Sequence, residues 1–181
     1  ENGLNEKQLL KQREEIKKIN EKFNKQGIRF RVLHGCEANI LTDGSIDIKD
    51  EVLAKLDYVI AGVHSALKQE KPKMTERLIR AIKNPNVDII SHPTGRLIGR
   101  RDEYLVDFDK ILKVAKETGT ILEINSSPQR LDLNGFNVRR AKVEGVKMII
   151  NTDSHQKEQL LQMEYGVSQA RRGWAEKEDI I

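Results

Sequence analysis

Five apolar runs separated by amphipathic stretches restrict this chain to a narrow set of folds. The runs are IRFRVLHGCEANIL, DYVIAGVH, VDIISHP, TILEINS and VKMIINTDSH, in that order. A segment such as VKMII lacks the apolar–polar alternation of a half-exposed strand, so both its faces meet protein. Between the runs, apolar residues recur at helical spacing. Alternating strands and helices, with the strands covered on both sides, describe an α/β protein with a parallel sheet and right-handed crossovers. Five such βα units are too few to close a barrel of about eight strands. The expectation is an open sheet, or a partial barrel whose first strands lie upstream of Glu1.

Punctuating residues set the boundaries. Asn5 caps a first helix that runs to about Gln26 and stops at Gly27, with Leu9, Ile16, Ile19 and Phe23 on its buried stripe. Further helices are expected over 48–56, 75–83, 107–118 with Gly119 as stop, 138–144 with Gly145 as stop, and 165–174. The first apolar run is read as one long strand, which puts His34 in its middle and gives that histidine a structural role. Lys68, Lys71 and Lys73 read as a solvated loop. No linker, repeat or low-complexity stretch divides the chain, so residues 1–181 form a single domain. The chain starts with Glu1 rather than Met and reads as a piece of a longer polypeptide.

Hydrophobic residues make up 38% and charged residues 33% of the chain, a composition that excludes intrinsic disorder. The net charge of +4 permits a phosphate-rich partner without requiring one. Cys36 is the single cysteine, so an internal disulfide is excluded and a reducing, cytoplasmic compartment fits. Its own role reads as a small core residue. No apolar run approaches the roughly 18 residues of a membrane span, and no membrane partner is expected. Walker-type loops, dinucleotide fingerprints and nucleophile elbows are absent.

The chemistry lies where strands hand over to loops. Glu37 interrupts an otherwise apolar run, and a carboxylate there needs a cation or strong hydrogen bonds. His64 follows DYVIAGV, and His92 follows VDIIS and precedes a proline that ends the ladder. Asp153 and His155 sit two residues apart after VKMIINT, a spacing that points both to one side of an extended segment. Any one of them alone would be an ordinary loop or core residue. Together they converge at the carboxyl ends of parallel strands, and a mixed His–carboxylate set suits Zn, Mn or Fe. A basic group accompanies them: Arg96 and Arg100 in TGRLIGRR, and Arg130 after the fourth strand. On the same face these would grip a phosphodiester, with Asn125 either binding substrate or capping its turn.

The segments GCEANI, AGVHS, ISHPTGRLIGRR, EINSSPQRLDL and INTDSH resemble the PHP (polymerase and histidinol phosphatase) superfamily, and within it the carboxyl-terminal PHP domain of bacterial and archaeal family X DNA polymerases. The resemblance covers essentially the whole chain. It implies a distorted, TIM-like (β/α)7 barrel, present here as about five βα units. It implies Glu37, His64, His92, Asp153 and His155 as ligands of Mn or Zn, with Fe a third option, and at most roughly three divalent cations in an intact domain. It further implies 3′–5′ exonuclease action on DNA in repair, with 3′-phosphatase or abasic-site activity, and a polymerase core in the same parent. His92 or His155 would protonate the leaving oxygen, and Arg96, Arg100 and Arg130 would neutralise phosphate charge. The family's first motif, His-x-His followed by Asp, and its Asp-His-Ser motif are missing from this sequence. The expectation is therefore a fragment that holds fewer metals or none, that is weak or inactive alone, and whose exposed edge strand invites self-association. Two alternatives remain open: a histidinol-phosphatase-like small-molecule phosphatase, and a non-catalytic DNA-binding module.

Overall fold

The computed structural model describes residues 3–181. Helix α1 (Glu6–Lys25) starts at Asn5, whose side chain and that of Gln8 cap each other's backbone N–H groups. Then follow β1 (Gly35–Asn39), α2 (Asp50–Leu53), β2 (Tyr58–Gly62), α3 (Lys71–Ile82) and β3 (Ile89–Ile90). The second half holds α4 (Phe108–Thr118), β4 (Ile121–Asn125), α5 (Gly135–Glu144), β5 (Met148–Asn151) and α6 (Met163–Arg172). Asp107 caps α4 and Asn134 caps α5, while Gly119 and Gly145 end these helices at φ 77° and 83°.

The five strands form one sheet in the order β1-β2-β3-β4-β5, every pair parallel. Sequential parallel strands joined by helices are the layout of an α/β barrel, here a partial one. Alternate strand residues split into two sets. Ala38, Val59, Ala61, Ile90, Leu122, Ile124 and Met148 are buried in the core with Met74 and Leu78 of α3, Ile111 and Leu112 of α4 and Val138 of α5. Each fully buried Leu or Ile of this layer contributes about 1.5–3 kcal/mol. The other set faces a cavity of about 930 Å³, lined by Glu37, Ile60, Ile89, Ile121, Glu123, Ile149 and Asn151 among others. This cavity is the interior of the partial barrel, with Glu37 and Glu123 at mid-strand and residues 151–155 at and beyond the end of β5.

Three expectations are corrected. The first strand begins only at Gly35, so His34 precedes β1 and is buried there. Residues 28–34 have no ladder partner among the described residues; Val32 is instead clasped by Asn20, amide to backbone in both directions at 2.8 Å. Helix α3 starts earlier than expected, because Pro72 preorganises its first turn, and it takes in Lys71 and Lys73. The third strand shrinks to two residues because the backbone leaves the ladder at His92.

The outer edge of β1 borders a cavity of about 760 Å³ shared with the start of α1. On the free side of β5, Ile180 forms a parallel bridge to Met148, and the Ile181 N–H donates to the Met148 carbonyl at 2.9 Å. No helix among the described residues is long and apolar enough to cross a membrane.

Candidate metal centre

Three adjacent strands deliver three donors to one point. Glu37 projects from β1, His64 follows β2, and His92 follows β3. Their ligand atoms lie within 4.8 Å of one another. His64 Nε2 is 3.3 Å and His92 Nε2 3.1 Å from the same Glu37 oxygen, Oε1, which also accepts the Ser91 hydroxyl at 2.7 Å. The two imidazole rings meet edge to face, with centroids 5.1 Å apart. Gly62 makes room beneath them: a Cβ there would meet Ser91 Oγ, come within 2.8 Å of the His64 ring and 3.0 Å of Glu37 Oε1. Burial works to raise the Glu37 carboxyl, but hydrogen bonds from His64, His92 and Ser91 overcome it and hold the group far below the usual carboxylate range.

The tautomer of His64 follows from its neighbours. Asn39 donates through Nδ2 to Asp47, so its Oδ1 faces His64 Nδ1 at 2.8 Å. Nδ1 then carries one proton and the Nε2 lone pair points toward Glu37, where a hydrogen bond between them requires a second ring proton. A lone pair and a carboxylate oxygen 3.3 Å apart need a proton or a cation between them. The mixed donor set, the cradle at Gly62 and this opposed pair fit a divalent transition metal held by Glu37, His64 and His92. Replacing Asn39 with leucine frees the imidazole to rotate and is expected to weaken Mn²⁺ binding by about 10-fold, read by calorimetric titration. Wild-type affinity in a folded Asn39→Leu chain would contradict the assignment of the His64 tautomer.

Asp153 and His155 are placed differently from their expected pairing. Asp153 has φ 53°, which breaks the extended geometry that would align the two side chains. Its Oδ2 accepts Asn125 Nδ2 at 3.2 Å and faces Arg130 Nε at 3.6 Å. His155 swings outward, its side chain 81% exposed, and its Nδ1 bonds to the Asp153 carbonyl at 2.8 Å. Both residues line the barrel cavity with Glu37, but neither joins the mutually close trio.

The basic residues divide by role. Arg96 spends Nε and Nη2 on the carbonyls of Arg130 and Leu131, at 2.8 and 2.6 Å. It therefore ties the two loops together. Arg100 is exposed, and Arg130 is partly buried against Asp153. Asn125 is fully buried, and its Oδ1 accepts the Ser127 N–H at 3.0 Å, the turn-capping alternative of its two readings. The HPTGR loop rests on Asp132, a fully buried carboxylate that accepts the N–H groups of Thr94 at 3.0 Å and Gly95 at 2.9 Å. Burial pushes the Asp132 carboxyl up to about 6. Gly95 is at φ 67° with the Tyr104 ring where a Cβ would stand, so only glycine fits this turn.

Glu123 was not among the residues singled out from sequence. It is a charge in the apolar run TILEIN, the same signal that marked Glu37, and like Glu37 it sits at the centre of a five-residue strand. It is buried, and burial raises its carboxyl above the usual range.

No family model matches the chain. The chain is 44% identical over 180 residues to the DNA polymerase/3′-5′ exonuclease PolX of Bacillus subtilis, a match covering 99% of the chain and 31% of that protein. It is 37% identical over 134 residues to a probable phosphatase of Caldanaerobacter subterraneus subsp. tengcongensis, covering 68% of the chain and 50% of that protein. The chain thus spans a third to a half of the length of these relatives. Among solved structures it resembles the histidinol phosphate phosphatase of Lactococcus lactis subsp. lactis, crystallised with Zn, L-histidinol and phosphate. That likeness has a TM-score of 0.62 at 16% identity, over 88% of this chain and 73% of the other, and it establishes the fold.

Proposed function

The chain is a PHP-type α/β domain related to family X DNA polymerases, and from that premise we propose that it forms part of a metal-dependent phosphoesterase site that removes nucleotides from DNA 3′ ends. The observation that carries the reading is the convergence of Glu37, His64 and His92 on one point at the mouth of the barrel. Asp153 and His155 line the same cavity and would add ligands from the loop that follows β5. A bound Mn or Zn supplies a low-pKa water and polarises the phosphoryl oxygens. Arg130, held beside Asp153, and the exposed Arg100 receive the phosphate's negative charge. His155, which is exposed, would hand a proton to the departing oxygen in a state where it does not ligate the metal.

Further strands and ligands, supplied by chain upstream of Glu1, would close the barrel and the metal cluster. The likeness to probable phosphatases keeps a small-molecule phosphomonoester as the second reading. The deciding experiment incubates the 181-residue chain, and a polypeptide of PolX-like length that contains it, with a 3′-labelled DNA duplex and with L-histidinol phosphate, in Mn²⁺ and in EDTA. The expected result is chelator-sensitive release of 3′ nucleotides by the longer protein, at least about 10-fold slower in the short chain. Preference for histidinol phosphate would favour the second reading. Chelator-insensitive hydrolysis would overturn both.

A further inference from the structure

Two of the candidate ligands have backbones in the left-handed region, where non-glycine residues are strained: His92 at φ 30° and Asp153 at φ 53°. Strain of this kind persists only where neighbours hold it, and both residues lead to the same side chain. The His92 N–H, turned out of the strand ladder, donates to Glu123 Oε2 at 2.7 Å. Asn125 Nδ2 is shared between that oxygen at 3.1 Å and Asp153 Oδ2 at 3.2 Å. Asn151 Nδ2 donates to the other oxygen, Oε1, at 2.9 Å. The side chain is 3% exposed, so no water competes for these bonds.

We infer that Glu123 is the positioning residue of the centre: its carboxylate holds the strained His92 backbone so that Nε2 reaches Glu37, and through Asn125 it orients Asp153 toward the same cavity. It does not touch the cation. What matters is the reach of an acceptor oxygen to the His92 N–H, rather than its charge. The inference rests on the metal-binding reading of the site.

Two soft substitutions separate reach from charge in the full 181-residue chain. Glu123→Asp keeps the charge and withdraws the oxygens by about one methylene, roughly 1.5 Å. Glu123→Gln loses the charge and keeps an oxygen within reach of His92, while the Asn151 amide flips to accept from the new NH₂. The probes are Mn²⁺ titration, the d–d spectrum after Co²⁺ loading, and the amide and imidazole ¹⁵N signals of His92 in the metal-free chain. Glu123→Asp is expected to weaken Mn²⁺ about 10-fold or more, alter the Co²⁺ spectrum and move the His92 signals; Glu123→Gln is expected to stay within about 3-fold of wild type with those signals in place. The reverse order, or wild-type behaviour of both, overturns the inference. If the wild-type chain takes up no Mn²⁺, the metal reading fails, and the His92 signals still decide whether Glu123 sets its geometry.

Discussion

Replacing His92 with alanine is expected to lower the Mn²⁺ affinity of the chain by at least about 100-fold, more than the loss of any residue that only supports a ligand. His92 is 2% exposed, and its Nε2 lies 3.1 Å from Glu37 Oε1 with Ser91 Oγ at 3.4 Å. Water cannot easily replace the imidazole in so enclosed a position. Glu37→Gln should fall in the same class, since one carboxylate oxygen serves both imidazoles and Ser91. Asp153→Asn should cost less in this chain, because Asp153 stands apart from the trio and is already occupied by Asn125 and Arg130. Calorimetric titration of the three variants ranks them directly. An Asp153→Asn loss larger than the His92→Ala loss would move the centre of the site toward β5.

The second large effect is structural. Arg77 is a cation 1% exposed within the core, and its partners are neutral. It donates to the carbonyl of Ile40 beyond β1, to the Ser65 carbonyl at 3.0 Å and to Gln69 Oε1 at 3.2 Å. Burial presses its pKa downward. Arg77→Ala would leave a cavity and orphan these acceptors, at a cost of about 3–5 kcal/mol. For a chain of this length that is a fall in melting temperature of roughly 6–20 °C. Arg77→Met retains the packing of the aliphatic stem and should recover about half of the loss. Both variants should also loosen Mn²⁺ binding, because Ser65 directly follows His64. A melting temperature for Arg77→Ala within about 2 °C of wild type would remove Arg77 from the framework of the site.

The alternation of strands and helices was legible because buried parallel strands are apolar on both faces and their helices carry Asn, Asp and Gly at fixed offsets. Asn5, Asp107, Gly119 and Gly145 mark their helix ends as read. Residues 28–34 were misread for a physical reason. IRFRVL has strand composition, but a strand exists only where a neighbour accepts its ladder, and pairing partners are not written locally. Phe30 instead meets Phe23 of α1 edge to face at 5.9 Å. At the site, Glu37, His64 and His92 could be found because strand ends of a parallel sheet converge. The relation between Asp153 and His155 could not, since one residue at positive φ cancels the two-residue rule. Asn39, Ser91 and Glu123 act through hydrogen bonds to residues up to 54 positions away, and nothing in their immediate sequence announces a partner at that range.

Helix α1 has a consequence for how the molecule opens. Of its 20 residues only Leu9 is buried, and the rest of its attachment is peripheral: Asn20 to Val32, Arg13 to the Lys55 carbonyl, and Glu6 to Lys49. Its detachment exposes little apolar surface, whereas opening β4 would expose Leu122 and Ile124, both 0% exposed. Local opening of the helix is therefore expected to cost less free energy than opening of the sheet, so its amides should exchange with solvent before those of β4.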